Sequence, residues 1–124
     1  MIIKSRKDST ELEITNIGYR HSDLYLKAEI RKSKFSGSVE ASTYHVGCPI
    51  ELFGKIADNW KGWDGEYFWC DLDSIISLTA TSDKIGHVNL VVHMYDQEDE
   101  LIVNLTLESE QLDKIYTEIK NEFS

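Results

Sequence analysis

Apolar side chains recur at every second position through most of this chain, and that period limits its possible folds more than any motif does. Leu24, Leu26, Ala28 and Ile30 fall on one face of a strand, with Tyr25, Lys27, Glu29 and Arg31 on the other. Such a strand belongs in an antiparallel sheet with one side packed and the other wet. Leu12 and Ile14 predict a shorter strand before it. Phe35, Val39 and Ala41 continue an apolar face after Lys32-Ser33-Lys34, with parity shifted by one from Ile30, which favours a turn over a bulge at that point.

The same alternation returns twice downstream. Ile76, Leu78 and Ala80 alternate with Ser77, Thr79 and Thr81, and Val88, Leu90, Val92 and Met94 resume it after Asp83-Lys84-Ile85-Gly86. Asp first and Gly fourth suit a type I turn in which Gly86 takes the positive φ of a bulge, so the two runs form a hairpin. A second hairpin uses Asp96 to Glu100 to reach Leu101, Val103, Leu105 and Leu107, and Tyr67 to Cys70 reads as a further strand of aromatic β-formers.

Two segments change to the helical period. Pro49 pre-sets a first turn, after which Leu52, Phe53, Ile56, Ala57 and Trp60 line one stripe until Gly62. Ser109 is the expected N-cap of a second helix, with Leu112, Ile115, Tyr116, Ile119 and Phe123 at helical intervals and Glu110 placed to pair with Lys114. Residues 1–124 therefore predict a single α+β domain: an antiparallel sheet, curled or doubled into a sandwich, with two helices packed on it.

Charge narrows the partners. Lys and Arg number 13 against 22 Asp and Glu, a net charge of −9, which is the wrong sign for gripping phosphates or anionic membranes. The expectation is no nucleic acid and no membrane. The start, Met1-Ile2-Ile3-Lys4-Ser5-Arg6, lacks a leader pattern, so a cytoplasmic location is expected. The acidic excess gathers toward the C-terminal end, where Asp96, Glu98, Asp99 and Glu100 form one loop and Glu108, Glu110, Asp113, Glu118 and Glu122 follow on the last helix. That end is either a solvated face or a docking surface for a basic protein partner.

Catalytic and metal chemistry find little support in the residue pattern. Cys48 and Cys70 lack metal-ligand spacing and read as buried thiols, with Cys48 kept as a nucleophile candidate because it stands beside a helix N-terminus. His87 and His93 share a strand face yet stand ~20 Å apart along it, too far for one ion. His21 and His45 have no neighbouring ligand, so no metal and no cofactor is expected. Asp71 and Asp73 would stand roughly 6.6 Å apart if their strand continues, a separation compatible with paired acid and base roles. Common nucleotide, hydrolase and metalloprotease signatures are absent. Phe53, Trp60, Trp63, Tyr67, Phe68 and Trp69 are the densest aromatic group, either a helix-on-sheet junction or a platform for a partner or ligand. Trp63, with Asp64 beside it between Gly62 and Gly65, is the one placed in a turn.

Several short motifs carry a family likeness. They are Lys34-Phe35-Ser36-Gly37, the run Phe53-Gly54-Lys55-Ile56-Ala57-Asp58-Asn59-Trp60-Lys61-Gly62-Trp63-Asp64-Gly65, then Trp69, and Asp83-Lys84-Ile85-Gly86-His87-Val88 before an alternating strand. In this order they resemble a group of small bacterial domains of unknown function and the related WapI-type immunity proteins, over most of the chain after about residue 24. The resemblance implies a non-enzymatic, intracellular protein that binds and neutralises a cognate toxin, often a nuclease and hence basic. It also implies that Gly62, Gly65 and Gly86 shape turns and that His87 hydrogen-bonds its own hairpin. The partner-binding residues expected on these grounds are Asp96, Glu98, Asp99, Glu100, Trp63 and Asp64; the alternative is a small-molecule or carbohydrate site built on Trp60, Trp63, Trp69 and Tyr67.

Overall fold

Every alternating segment becomes a strand in one of two antiparallel four-stranded sheets. The computed structural model describes residues 1–83 and 85–124. The first sheet runs β1 (Ile2–Lys4), β2 (Glu11–Arg20), β3 (Asp23–Lys32) and β4 (Phe35–Ser42), and the second runs β5 (Glu66–Cys70), β6 (Ile76–Ser82), β7 (Val88–Asp96) and β8 (Asp99–Leu107). In both, spatial order equals chain order, so each sheet is a meander of short hairpins. The expected α+β class and antiparallel pairing hold, in the doubled form of the sheet.

Parity decides the faces. Leu12, Leu26, Ala28, Ile30 and Ala41 point inward from the first sheet, and Leu78, Leu90, Val92, Val103 and Leu105 from the second, each nearly inaccessible to solvent. Together with residues of both helices they form one apolar cluster. The sheets are also stitched at their edges: the Arg6 amide donates to the Thr106 carbonyl at 2.8 Å, and the Thr106 amide donates to Ser5 Oγ at 3.0 Å.

α1 (Ile50–Asp58) buries Leu52, Phe53, Ile56 and Ala57, and α2 (Ser109–Glu122) buries Leu112, Ile115 and Ile119. They touch where Gly54 leaves room for Tyr116, since a Cβ on Gly54 would stand 3.2 Å from that ring. Among the described residues no helix is long and apolar enough to cross a membrane.

Several local expectations needed correction. β2 is ten residues long rather than short, because a register shift between Asn16 and Gly18 breaks the alternation that would have revealed its second half. α1 ends at Asp58, so Trp60 leaves the buried stripe and is 51% exposed. Glu108, not Ser109, caps α2, its amide donating to Gln111 Oε1 at 2.9 Å. Glu110 pairs with Arg6 at 3.1 Å rather than with Lys114. The turn at Ser33-Lys34 is as expected, with Lys32 facing Phe35. Gly86 has the expected positive φ of 87°, while the centre of the type I turn falls on Lys84, outside the described residues.

Candidate functional site

The ladder of β7 and β8 continues to the pair Asp96 and Asp99, leaving only Gln97 and Glu98 to turn the chain. What reads as one acidic loop is therefore a tight turn at the end of two strands, and strand parity sorts its carboxylates. Asp96 and Asp99 share a face with the pair Met94 and Leu101, which points toward the first sheet; Glu100 lies opposite Tyr95 on the outward face. The Glu100 carboxylate stands 3.4 Å from His93 Nε2, and the Tyr95 hydroxyl stands 3.1 Å from His93 Nδ1. Asp96 and Asp99 form a directly opposed pair of like charges, an arrangement that destabilises a hairpin. Among the described residues neither has a cationic partner.

Beneath this pair opens a groove of about 370 Å³ between the β7–β8 tip and β4, lined by Phe35, Gly37, Val39, Met94 and Leu101 and by Asp96, Asp99 and Glu100. Among the described residues, every charged one lining it is acidic. The apolar part arises because the start of β4 and the ends of β7 and β8 overhang the core: Phe35 is on the core face by parity yet remains 48% exposed. Gly37 sets the spacing, since a Cβ there would stand 2.8 Å from Leu101 Cδ2. Such a site can seat an apolar side chain while its rim holds a Lys or Arg whose methylenes run along the groove.

Trp63 and Asp64 lie elsewhere. Trp63 stacks on Tyr67 with centroids 4.6 Å apart, and its Nε1 donates to the Gly65 carbonyl at 3.1 Å. Tyr67 on β5 is level with Leu90 on β7, and Leu90 is six residues, ~20 Å along the strand, from Asp96. The residues expected to bind a partner thus split between opposite corners of the second sheet. The three indoles also diverge: Trp69 is 8% exposed and donates to the Gly47 carbonyl at 3.2 Å, whereas Trp60 faces solvent under Lys61.

Near β5 a second cleft of about 490 Å³ is lined by Cys48, Glu51, Lys55, Tyr67, Phe68 and Trp69, among others. Cys48 and Cys70 are half-buried rather than buried, and burial pushes the Cys48 thiol above its usual pKa. Burial raises Cys70 as well. The acid–base reading of Asp71 and Asp73 fails at its premise, because β5 ends at Cys70. Asp71 is 3% exposed and serves the turn that follows, accepting from the amides of Ile76 at 2.8 Å and Asp73 at 3.2 Å. His87 does hydrogen-bond its own hairpin, with Nδ1 3.1 Å from Asp83 Oδ2. Asp83 also accepts the amides of Ile85 and His87, and these bonds, the His87 amide first, hold its carboxyl below the usual range.

Phe35, Val39, Met94 and Leu101 are the site residues that sequence reasoning assigned to the core. The available signal was position: Phe35 directly follows a turn and Leu101 is the first apolar residue after the acidic tip, where a core face runs past its cover. Residues 3–124 match the DUF6228 family, described as a family of unknown function. No curated protein and no solved structure matches the chain. The likeness read from the Lys34–Gly37, Phe53–Gly65 and Asp83–Val88 motifs is thus met at the level of a domain of unknown function, and the match itself is silent about immunity.

Proposed function

The chain belongs to the DUF6228 family, whose function is unknown, and on that premise we propose that it is a non-enzymatic interaction module that receives a basic protein partner at the groove under the β7–β8 tip. One observation carries the reading: Asp96 and Asp99 oppose each other over an apolar floor with no cationic partner among the described residues. Folding gains nothing from that repulsion, and a cationic partner relieves it. The net charge of −9 adds long-range steering of a basic partner. The partner class we favour is a basic toxin domain, as in the immunity proteins that the sequence resembles, with the acidic module covering its phosphate-binding face.

The test is co-purification with a basic toxin domain encoded beside this chain, followed by the same measurement with Asp96, Glu98, Asp99 and Glu100 all changed to Lys. Co-elution that the charge-reversed protein loses supports the reading. Equal affinity of the reversed and parent proteins removes the groove from the proposal.

A further inference from the structure

We infer that the contacting segment of the partner is an extended cationic strand that adds to the free edge of β4; this rests on the groove reading above and specifies its mode. β4 is a terminal strand of the first sheet, eight residues long, and an antiparallel ladder leaves every second amide and carbonyl of such a strand pointing away from its neighbour. Among the described residues no backbone hydrogen bond from outside β3 reaches Phe35 to Glu40.

Exposed edges are ordinarily blunted by Lys, Pro, a bulge or short length. Phe35-Ser36-Gly37-Ser38-Val39-Glu40-Ala41-Ser42 has no Lys and no Pro, and its register with β3 is unbroken. Its single charge, Glu40, is held by Arg20 at 3.0 Å. Two other edges are short: β1 has three residues, with its Lys4 carbonyl taken by Gln111, and β5 has five. β8 is longer, is engaged at Thr106 by the Ser5–Arg6 stitch, and opens with the carboxylates of Asp99 and Glu100.

The shape of the groove supplies the second, independent observation. Five consecutive residues of β4, Phe35 to Val39, line it, so it follows the strand backbone rather than one face of the sheet. Its far wall carries Asp96, Asp99 and Glu100. An added strand would alternate. Residues on the groove side would set an apolar anchor over Leu101 and cations against Asp96 and Asp99, and residues on the other side would meet Ser36, Ser38 and Glu40 and so be small or polar.

The probe is the blocked hexapeptide Lys-Thr-Val-Thr-Lys-Thr, titrated into the isotope-labelled full chain by NMR. Two further copies are N-methylated at the odd or at the even backbone amides. The expected result is a shift and slowed exchange of alternate β4 amides, with one methylated copy binding like the parent and the other about tenfold or more weaker, since only one set of peptide amides faces β4. If both methylated copies bind like the parent, or β4 amides stay unchanged throughout, strand addition is overturned. The groove reading is judged separately with Asp96→Asn/Asp99→Asn: loss of peptide affinity alongside indifference to methylation sinks the strand alone, and unchanged affinity in that variant sinks the groove reading with it.

Discussion

Two hairpin tips of the second sheet treat their aspartates in opposite ways. At the β6–β7 tip, Asp83 accepts the amides of Ile85 and His87 and stands beside the His87 ring, so its charge is used to close the turn. At the β7–β8 tip, Asp96 and Asp99 face each other, and the turn closes through Gln97, at a positive φ of 57°, without their help. The first arrangement is what stability alone produces. The second sets like charges opposite each other, and that difference separates a carboxylate that closes its turn from carboxylates that do not.

Exchanging charge at the two tips separates them most sharply. Converting Asp96, Glu98, Asp99 and Glu100 to Lys is expected to weaken binding of a basic partner about 100-fold or more, equal to roughly 2.7 kcal/mol, in isothermal titration. Asp83→Asn should leave that affinity unchanged. Next in size is Gly37→Ala: the added methyl displaces Leu101 into the groove, costing about 1 kcal/mol of stability in denaturant titration and roughly tenfold in affinity for a basic peptide. A variant with parent affinity would show that the apolar floor is idle.

Asp83→Asn should itself lower Tm by a few degrees, and the loss depends on pH. The folded carboxyl titrates below its ordinary value of 3.8, so its contribution is present above that value and disappears as pH falls through the lowered one. Thermal melts should therefore separate parent and variant from pH 7 down to about 4 and converge below. The smallest effect has the opposite sign: Asp96→Asn/Asp99→Asn should raise stability by a few tenths of a kcal/mol through relief of repulsion, while weakening partner binding. A destabilised double variant would mean that these carboxylates serve the hairpin after all.

The strands with clean alternation were legible from residues alone. Leu26, Ala28 and Ile30 fixed the inner face of β3, and Val88 to Met94 that of β7. β2 was half hidden because Gly18 takes a positive φ of 87° at a register shift, and a bulge erases the period on which such reading depends. Trp60 had the right interval for a helical stripe, but the Asn59 side chain donates to the Lys55 carbonyl at 2.8 Å and the helix stops there. The acidic half of the groove could be seen in Asp96, Asp99 and Glu100. Its apolar half could not, because Phe35 and Leu101 lie in different sheets and parity says which way a side chain points, not which distant strand it meets.

The bonds from Ser5 and Arg6 to Thr106 also govern how this molecule behaves in a crowd of its own copies. They hold the segment that follows β1 against Thr106, near the end of β8. Loosening that seam would uncover the end of β8 and free the segment after β1, which could then pair with the same place on a neighbour, giving exchanged dimers or fibrils.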